Sequence, residues 1–304
     1  SPEWLAMALS KVTLLFLGII FCSFSSFAQN VWLVRFTDKN NSVYSVSQPD
    51  QFLSQRALDR RTRFSIPVTF QDLPVTETYL DGLRAKGAVV RYSLRWMNAA
   101  VIVANSSVMT QVNALPYVLY TSQVKRTVSE PVKPEPLLTT LRNSFSDDAA
   151  SVYGYAFQQN KMVGVELLHE DHLHGEGMLI AVFDEGFIYY DNVPAFQSLV
   201  NRNAFLLTYD VVGSDNTVND TGDHGLAVLS IIGANDPGKM VGPAYMADFM
   251  LFRTEDESSE SPVEELNWAR AAEVADSAGA DIIHSSLGYS TFDNSAYNYG
   301  YPSM

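Results

Sequence analysis

Residues 178–187 read MLIAVFDEGF. Six apolar residues in a row, Met178 to Phe183, follow Gly177 and end on Asp184, with Gly186 close behind. A run that short, bounded by glycines, reads as a buried strand. A second stretch, DHGLAVLSII at 223–232, sets a charged Asp-His pair directly against an apolar, helix-like segment. In an open α/β sheet ligands gather beyond the carboxyl ends of the strands. Asp184 stands at such an end, and His224 at a helix start 224 − 184 = 40 residues later. The two can meet over one sheet edge, the carboxylate accepting an imidazole N–H and leaving the other ring nitrogen as a base.

Outward from these stretches the rhythm continues. A helix is predicted around 152–168, strands at 178–184, 205–212, 245–252 and 281–286, and helices at 223–234 and 262–278. The alternation predicts an α/β fold, a parallel sheet with helices on both faces, across 151–304. Upstream the order differs. Strands are predicted at 31–36, 88–94, 99–104 and 117–121 and helices at 76–86 and 106–114, a small βαββαβ fold over 29–126. Residues 38–75 form an insert with an amphipathic helix at 49–61, PDQFLSQRALDRR. Its cluster Arg56, Arg60, Arg61 and Arg63 reads equally as a solvated face or as a contact to the acidic remainder. Residues 127–150, with Pro131, Pro134 and Pro136, read as a linker open to proteolysis.

Met7, Lys11, the apolar run VTLLFLGIIFCSF and the small residues Ser26 and Ala28 have the layout of a cleaved secretory signal over 7–28, which predicts a secreted or cell-envelope protein. The preceding SPEWLA reads as sequence outside the fold. Cys22, the single cysteine, lies in that signal, so no disulfide is expected. The net charge of −14 argues against nucleic acid, and against a membrane surface after signal cleavage, as partners.

Four blocks, GEGMLIAVFDEGF, DHGLAVLSIIGA, MVGPAYMADFMLFRTED and SAGADIIHSSLGY, resemble in order and context those of subtilisin-like serine proteases (subtilases, the S8 family), in the exported bacterial branch whose Asp block reads D-x-G-F. The resemblance covers about 151–304. FLSQRALDRRTRFSIPV, DLPV and SLRWMNAAVIVA are similar to the prosegment of the same branch. It implies a serine endopeptidase made as a zymogen. Asp184 and His224 would be triad members, Ser286, Leu287 and Gly288 the strand that pairs with a peptide or protein substrate, and Gly186 and Gly225 the small residues beside the triad. The protein's own prosegment would be a second partner, covering the groove until the linker is cut.

Three positions depart from the family pattern: Leu226 where Thr is usual, Glu185 where a hydroxyl often follows the triad Asp, and His284 where Asn or Ser is frequent. No Gly-Thr-Ser occurs, and Ser285 and Ser286 lie in a strand without a nucleophile elbow. The expectation is a chain cut short before its catalytic serine and inactive by itself. The alternative is a catalytically dead relic that binds peptides or a protease.

No metal or other cofactor is required by these motifs. LLHEDHLHGEG at 167–177 fails the zinc test, because His169 and His172 are three apart and not four, so surface histidines are expected. Calcium suits the family, and GSDNTVND at 213–220 and RTEDESSESP at 253–262 offer oxygens, though neither has an EF-hand pattern. GANDPGKMVG at 233–242 lacks the order of a phosphate loop.

Overall fold

The computed structural model describes residues 30–126 and 148–300. The predicted signal at 7–28 and nearly all of the predicted linker lie outside the described residues.

The first region holds β1 (Asn30–Phe36), α1 (Gln55–Arg63), α2 (Glu77–Ala85), β2 (Val89–Leu94), β3 (Ala99–Ala104), α3 (Ser106–Asn113) and β4 (Val118–Arg126). The sheet order is β2-β3-β1-β4 with every pairing antiparallel. The period of two along β1 divides its side chains between two cores. Val34 and Phe36 face α2 and α3, packing on Leu80, Leu83, Met109 and Val112. Val31 and Leu33 face the second region. β4 runs five residues past its expected end at 121, because its backbone pairs with β1 along the whole length, from Phe36↔Val118 to Asn30↔Arg126. Its apolar signal fades at Thr121 and the pairing does not.

The insert helix also differs from expectation. A single 3-10 turn at Pro49–Gln51 is followed by a separate α1, because Ser54 caps a new start: its Oγ accepts from the Ala57 N–H at 3.1 Å.

The second region opens with α4 (Asp148–Tyr153), α5 (Phe157–Met162) and α6 (Val165–Glu170) in place of one helix over 152–168. Gly154 and Gly164, at φ +56 and +72, break it. A side chain at Gly154 would meet the Lys239 carbonyl at 2.2 Å. Then come β5 (Leu179–Asp184), a short α7 (Gln197–Asn201), β6 (Phe205–Asp210), α8 (His224–Gly233), the hairpin β7 (Asn235–Asp236) and β8 (Met240–Val241), β9 (Asp248–Arg253), α9 (Val263–Ala278) and β10 (Ile282–Ser285). The large sheet, in the order β10-β5-β9-β6, is parallel throughout. All six β5 residues are buried. Leu179, Ala181 and Phe183 pack with α9 residues, whereas Ile180 and Val182 pack with Val228 and Leu229 of α8, so helices cover both faces. This is the predicted α/β architecture behind a βαββαβ domain.

The two regions share one core. Val31, Leu33, Leu94, Val101 and Val124 of the antiparallel sheet lie against Ala271, Ala272 and Ala275 of α9. Small residues on that helix face let the sheet approach closely. Charge finishes the contact at the carboxyl end of α9, where helix carbonyls are left without intrahelical donors. Ser54 donates its N–H to Ser277 O and its hydroxyl to Ala278 O, and Arg56 and Arg60 donate to the carbonyls of Gly279 and Ala280. Arg60, Arg61 and Arg95 converge on Asp276, and Arg56 pairs with Asp281. The basic cluster is therefore a docking face for three of its four arginines. Arg63 is the exception, its guanidinium lying over the Phe64 ring.

Candidate active site

Asp184 ends β5 and is fully buried, 0% exposed. Its carbonyl accepts the Thr254 N–H at 2.9 Å, which ties it to the end of β9. Its Oδ1 accepts the Glu185 N–H at 2.9 Å and lies 2.8 Å from His224 Nδ1. Its Oδ2 is buried with no donor. Glu185 gives its backbone N–H to Oδ1 and takes the His224 N–H on its carboxylate, so it supplies nothing to Oδ2.

His224 is the first residue of α8. The apolar residues that follow it bury Val228 and Leu229 in the core, which leaves the helix start at the sheet edge. Its N–H donates to Glu185 Oε1 at 3.1 Å, fixing the helix terminus over the strand end. The imidazole is 49% exposed. An ionised Asp184 can only accept, so Nδ1 carries the proton of the neutral ring and Nε2 faces outward as the basic nitrogen. The hydrogen bond to Asp184 raises the His224 pKa, aided by the charges of Asp184, Glu185 and Asp223, against an opposing effect of burial.

Contact this close requires small neighbours. A Cβ on Gly225 would meet the Gly186 carbonyl at 2.1 Å and the Asp184 Cβ at 2.8 Å. Ser286, Leu287 and Gly288 continue β10 beyond Ser285 and line the same cleft as Asp184 and His224, of ≈ 230 Å³. Leu287 packs against the core that the two regions share, and among the described residues neither Leu287 nor Gly288 makes a backbone–backbone hydrogen bond. That edge is open to an extended chain. His284 lies within β10, opposite Val182 of β5.

The structure also brings to the cleft residues that the sequence reading took only as loop oxygens or as part of a helix. Glu255 accepts from the Tyr289 hydroxyl at 2.6 Å and from Thr254 at 2.8 Å. Glu264, 1% exposed, takes the backbone N–H groups of Asp256 and Ser261, and burial pushes its carboxyl up to about 8. Glu257 reaches the Thr221 hydroxyl. The acidic run at 253–262 was the only sequence signal for Glu255 and Glu257, Glu264 fell within the helix predicted over 262–278, and nothing local aims any of them at His224.

The histidines need a correction. His169 is not on a surface turn but on α6, part-buried, with Nδ1 2.7 Å from the Tyr153 hydroxyl and Nε2 3.0 Å from the Pro243 carbonyl. The carbonyl can only accept, so Nε2–H donates to it and Nδ1 accepts from the tyrosine. His174 pairs with Glu176. Among the described residues no three His, Cys, Asp or Glu side chains gather as a metal-holding group.

Two family models match the chain: a peptidase S8 propeptide domain of the Bacteroidota over residues 31–136, and the subtilase family over 175–303. Among solved structures, the epidermin leader peptide processing serine protease from Staphylococcus aureus is 16% identical, with a TM-score of 0.50 over 85% of this chain and 50% of that one. Fervidolysin from Fervidobacterium pennivorans, a keratinolytic enzyme related to subtilisin, is 17% identical, with a TM-score of 0.47 over 84% of this chain and 35% of that one. The chain thus spans half or less of the length of these structures. No curated protein matches. The chain therefore carries, in this order, a segment that matches the peptidase S8 propeptide domain of the Bacteroidota and a segment that matches the subtilase family.

Proposed function

We propose that the chain is the front part of a serine endopeptidase of the subtilisin type, exported as a zymogen, that hydrolyses peptide bonds with Asp184, His224 and a serine from sequence beyond residue 304. One observation carries the reading: a buried strand-end carboxylate 2.8 Å from the Nδ1 of a half-exposed histidine, at the carboxyl edge of a parallel sheet. In that arrangement Asp184 holds the ring in the tautomer with Nε2 unprotonated and stabilises the imidazolium once Nε2 has taken a proton from the serine hydroxyl. The serine oxygen attacks the peptide carbonyl, and the proton held on Nε2 passes to the leaving amine. The substrate lies extended along 286–288, where the open backbone of Leu287 and Gly288 supplies partners for its main chain.

The first region acts as the inhibitor in this reading. Its support is the shared core with α9 and the position of Lys125, whose ammonium lies 2.7 Å from Asp256 at the cleft wall. Export and release by cutting within 127–150 complete the proposal.

A fluorophosphonate probe tests it. Residues 30–304 alone should remain unlabelled, because losing the nucleophile costs roughly a million-fold in turnover. The gene product extended past residue 304 should label at one serine, and His224→Ala should abolish that labelling. Labelling of the 304-residue chain, or none in the extended protein, refutes the assignment.

A further inference from the structure

The sheet does not hold the edge at 286–288. β10 pairs with β5 only as far as Ser285↔Phe183, and among the described residues Leu287 and Gly288 make no backbone–backbone hydrogen bond. Packing holds one residue of the three. Leu287 lies against the shared core, whereas Ser286 and Gly288 are exposed and a Cβ on Gly288 would meet nothing within 4 Å. Unheld backbone samples many conformers, and a partner that has to order it on binding loses affinity to that entropy.

The next residue supplies an anchor. The Tyr289 hydroxyl donates to Glu255 Oε1 at 2.6 Å. The same oxygen accepts the Thr254 hydroxyl at 2.8 Å, and Thr254 gives its backbone N–H to the Asp184 carbonyl at 2.9 Å. Asn267 of α9 fixes the other side of this junction, its Nδ2 donating to the Thr254 carbonyl at 2.9 Å. Thr254 is 0% exposed and Asn267 1%. The end of β9 is thus a common mount: Thr254 holds the strand end that carries Asp184, and Glu255, through Tyr289, holds the far end of the 286–288 edge. Burial and the Glu255 hydrogen bond push the Tyr289 phenol up, so it stays a donor.

We propose that Tyr289 and Glu255 are positioning residues for a peptide substrate: their hydrogen bond keeps the 286–288 edge extended, ready to pair with a substrate main chain, and ties that edge through Thr254 to the strand end of Asp184. This rests on the reading of 286–288 as the peptide-binding edge. Both residues act through the edge and not on the scissile bond. The ordering they impose exists before the substrate arrives, so the substrate does not have to supply it, which is the advantage of a preorganised site. A peptide gains from the edge only where its main chain lies along it.

Two measurements test it. In the 304-residue chain, NMR order parameters of the Leu287 and Gly288 amides should stand near 0.85 and fall below about 0.6 in Tyr289→Phe, which removes a single oxygen, and likewise in Glu255→Ala. Glu255→Gln keeps an acceptor for both hydroxyls and should restore the high values. In the gene product extended past residue 304, Tyr289→Phe should raise KM for a capped hexapeptide roughly tenfold, with a smaller change in kcat, because a contact made equally in ground and transition states appears in KM. The affinity gained by lengthening the peptide on its acyl side should shrink by the same factor. Unchanged order parameters in Tyr289→Phe overturn the anchor. Lowered order parameters with an unmoved KM overturn the substrate role and leave the proposed activity standing. An extended product with no activity refutes the proposed function and the substrate role with it, while the order parameters still decide the anchor.

Discussion

Replacing Gly225 by alanine should break the Asp184–His224 contact without touching either side chain. The added Cβ would lie 2.1 Å from the Gly186 carbonyl oxygen. A close carbon–oxygen contact is about 3.3 Å, so backbone must separate by about 1.2 Å. The obstacle is main chain, not the flexible end of a side chain, and the Asp184 Cβ at 2.8 Å and Phe187 ring at 3.1 Å close the other directions. Overpacking of this kind costs about 1–3 kcal/mol, and the buried backbone on one side puts this site at the upper end, about 3 kcal/mol. The easiest displacement moves the start of α8 away from β5, which stretches the 2.8 Å hydrogen bond beyond bonding range. Two assays read the result: urea unfolding, which should lose about 3 kcal/mol, and NMR titration of the His224 ring, whose pKa should fall toward that of a free histidine. A Gly225→Ala chain of unchanged stability and unchanged His224 titration would refute the argument that glycine is what permits the pair.

Asp184→Asn replaces the charged acceptor that raises the His224 pKa by a neutral amide, so that pKa should fall in an NMR titration. A histidine raised on folding stabilises below its unfolded pKa and loses that contribution as pH rises through its folded pKa, so unfolding curves of the two chains should differ more in acid than at alkaline pH. On the proposed function, the same substitution in the gene product extended past residue 304 should lower kcat by about 10⁴. Glu264 titrates from an unfolded value of 4.5 to about 8 in the fold, so its burial favours the folded state below pH 4.5 and this contribution is lost as pH rises toward 8; Glu264→Gln should flatten that part of the stability profile, measured by urea unfolding at each pH. Arg61, 7% exposed, bridges Asp72 and Asp276 between the regions, and Arg61→Ala, which leaves Asp276 to Arg60 and Arg95 and Asp72 to Thr69, should cost about 1.5–3 kcal/mol in unfolding and weaken retention of the first region after proteolysis within 127–150, read by gel filtration.

Much of the fold was legible in residue order. Six apolar residues without alternation at 178–183 specify a buried strand, and the structure places it in the interior of the parallel sheet with all its residues covered. Asp184 and His224 were legible as a pair because each stands at a boundary between an apolar element and a polar loop. Where local chemistry and pairing disagree, the reading strayed. β4 continues through the polar residues after Thr121 because backbone hydrogen bonds to β1 do not depend on side-chain polarity. The helix expected over 152–168 has enough helix formers, yet two glycines with positive φ turn it twice. Ser54, unremarkable inside an amphipathic pattern, starts a new helix where its hydroxyl meets both Ala57 and the end of α9.

By itself the sequence determined the α/β alternation, the βαββαβ order ahead of it, and the strand-end Asp and helix-start His, because periodicity, glycine placement and boundary residues are properties of neighbours along the chain. Tertiary structure alone decided which face of the first sheet covers α9, that Arg56, Arg60 and Arg61 close the carboxyl end of that helix, that acidic residues of 255–264 line one cleft with His224, and that Lys125 of the first region pairs with Asp256. The arginine and Lys125 contacts join groups more than a hundred residues apart, and the energy of all of them depends on distance and burial in space, quantities that residue order does not carry.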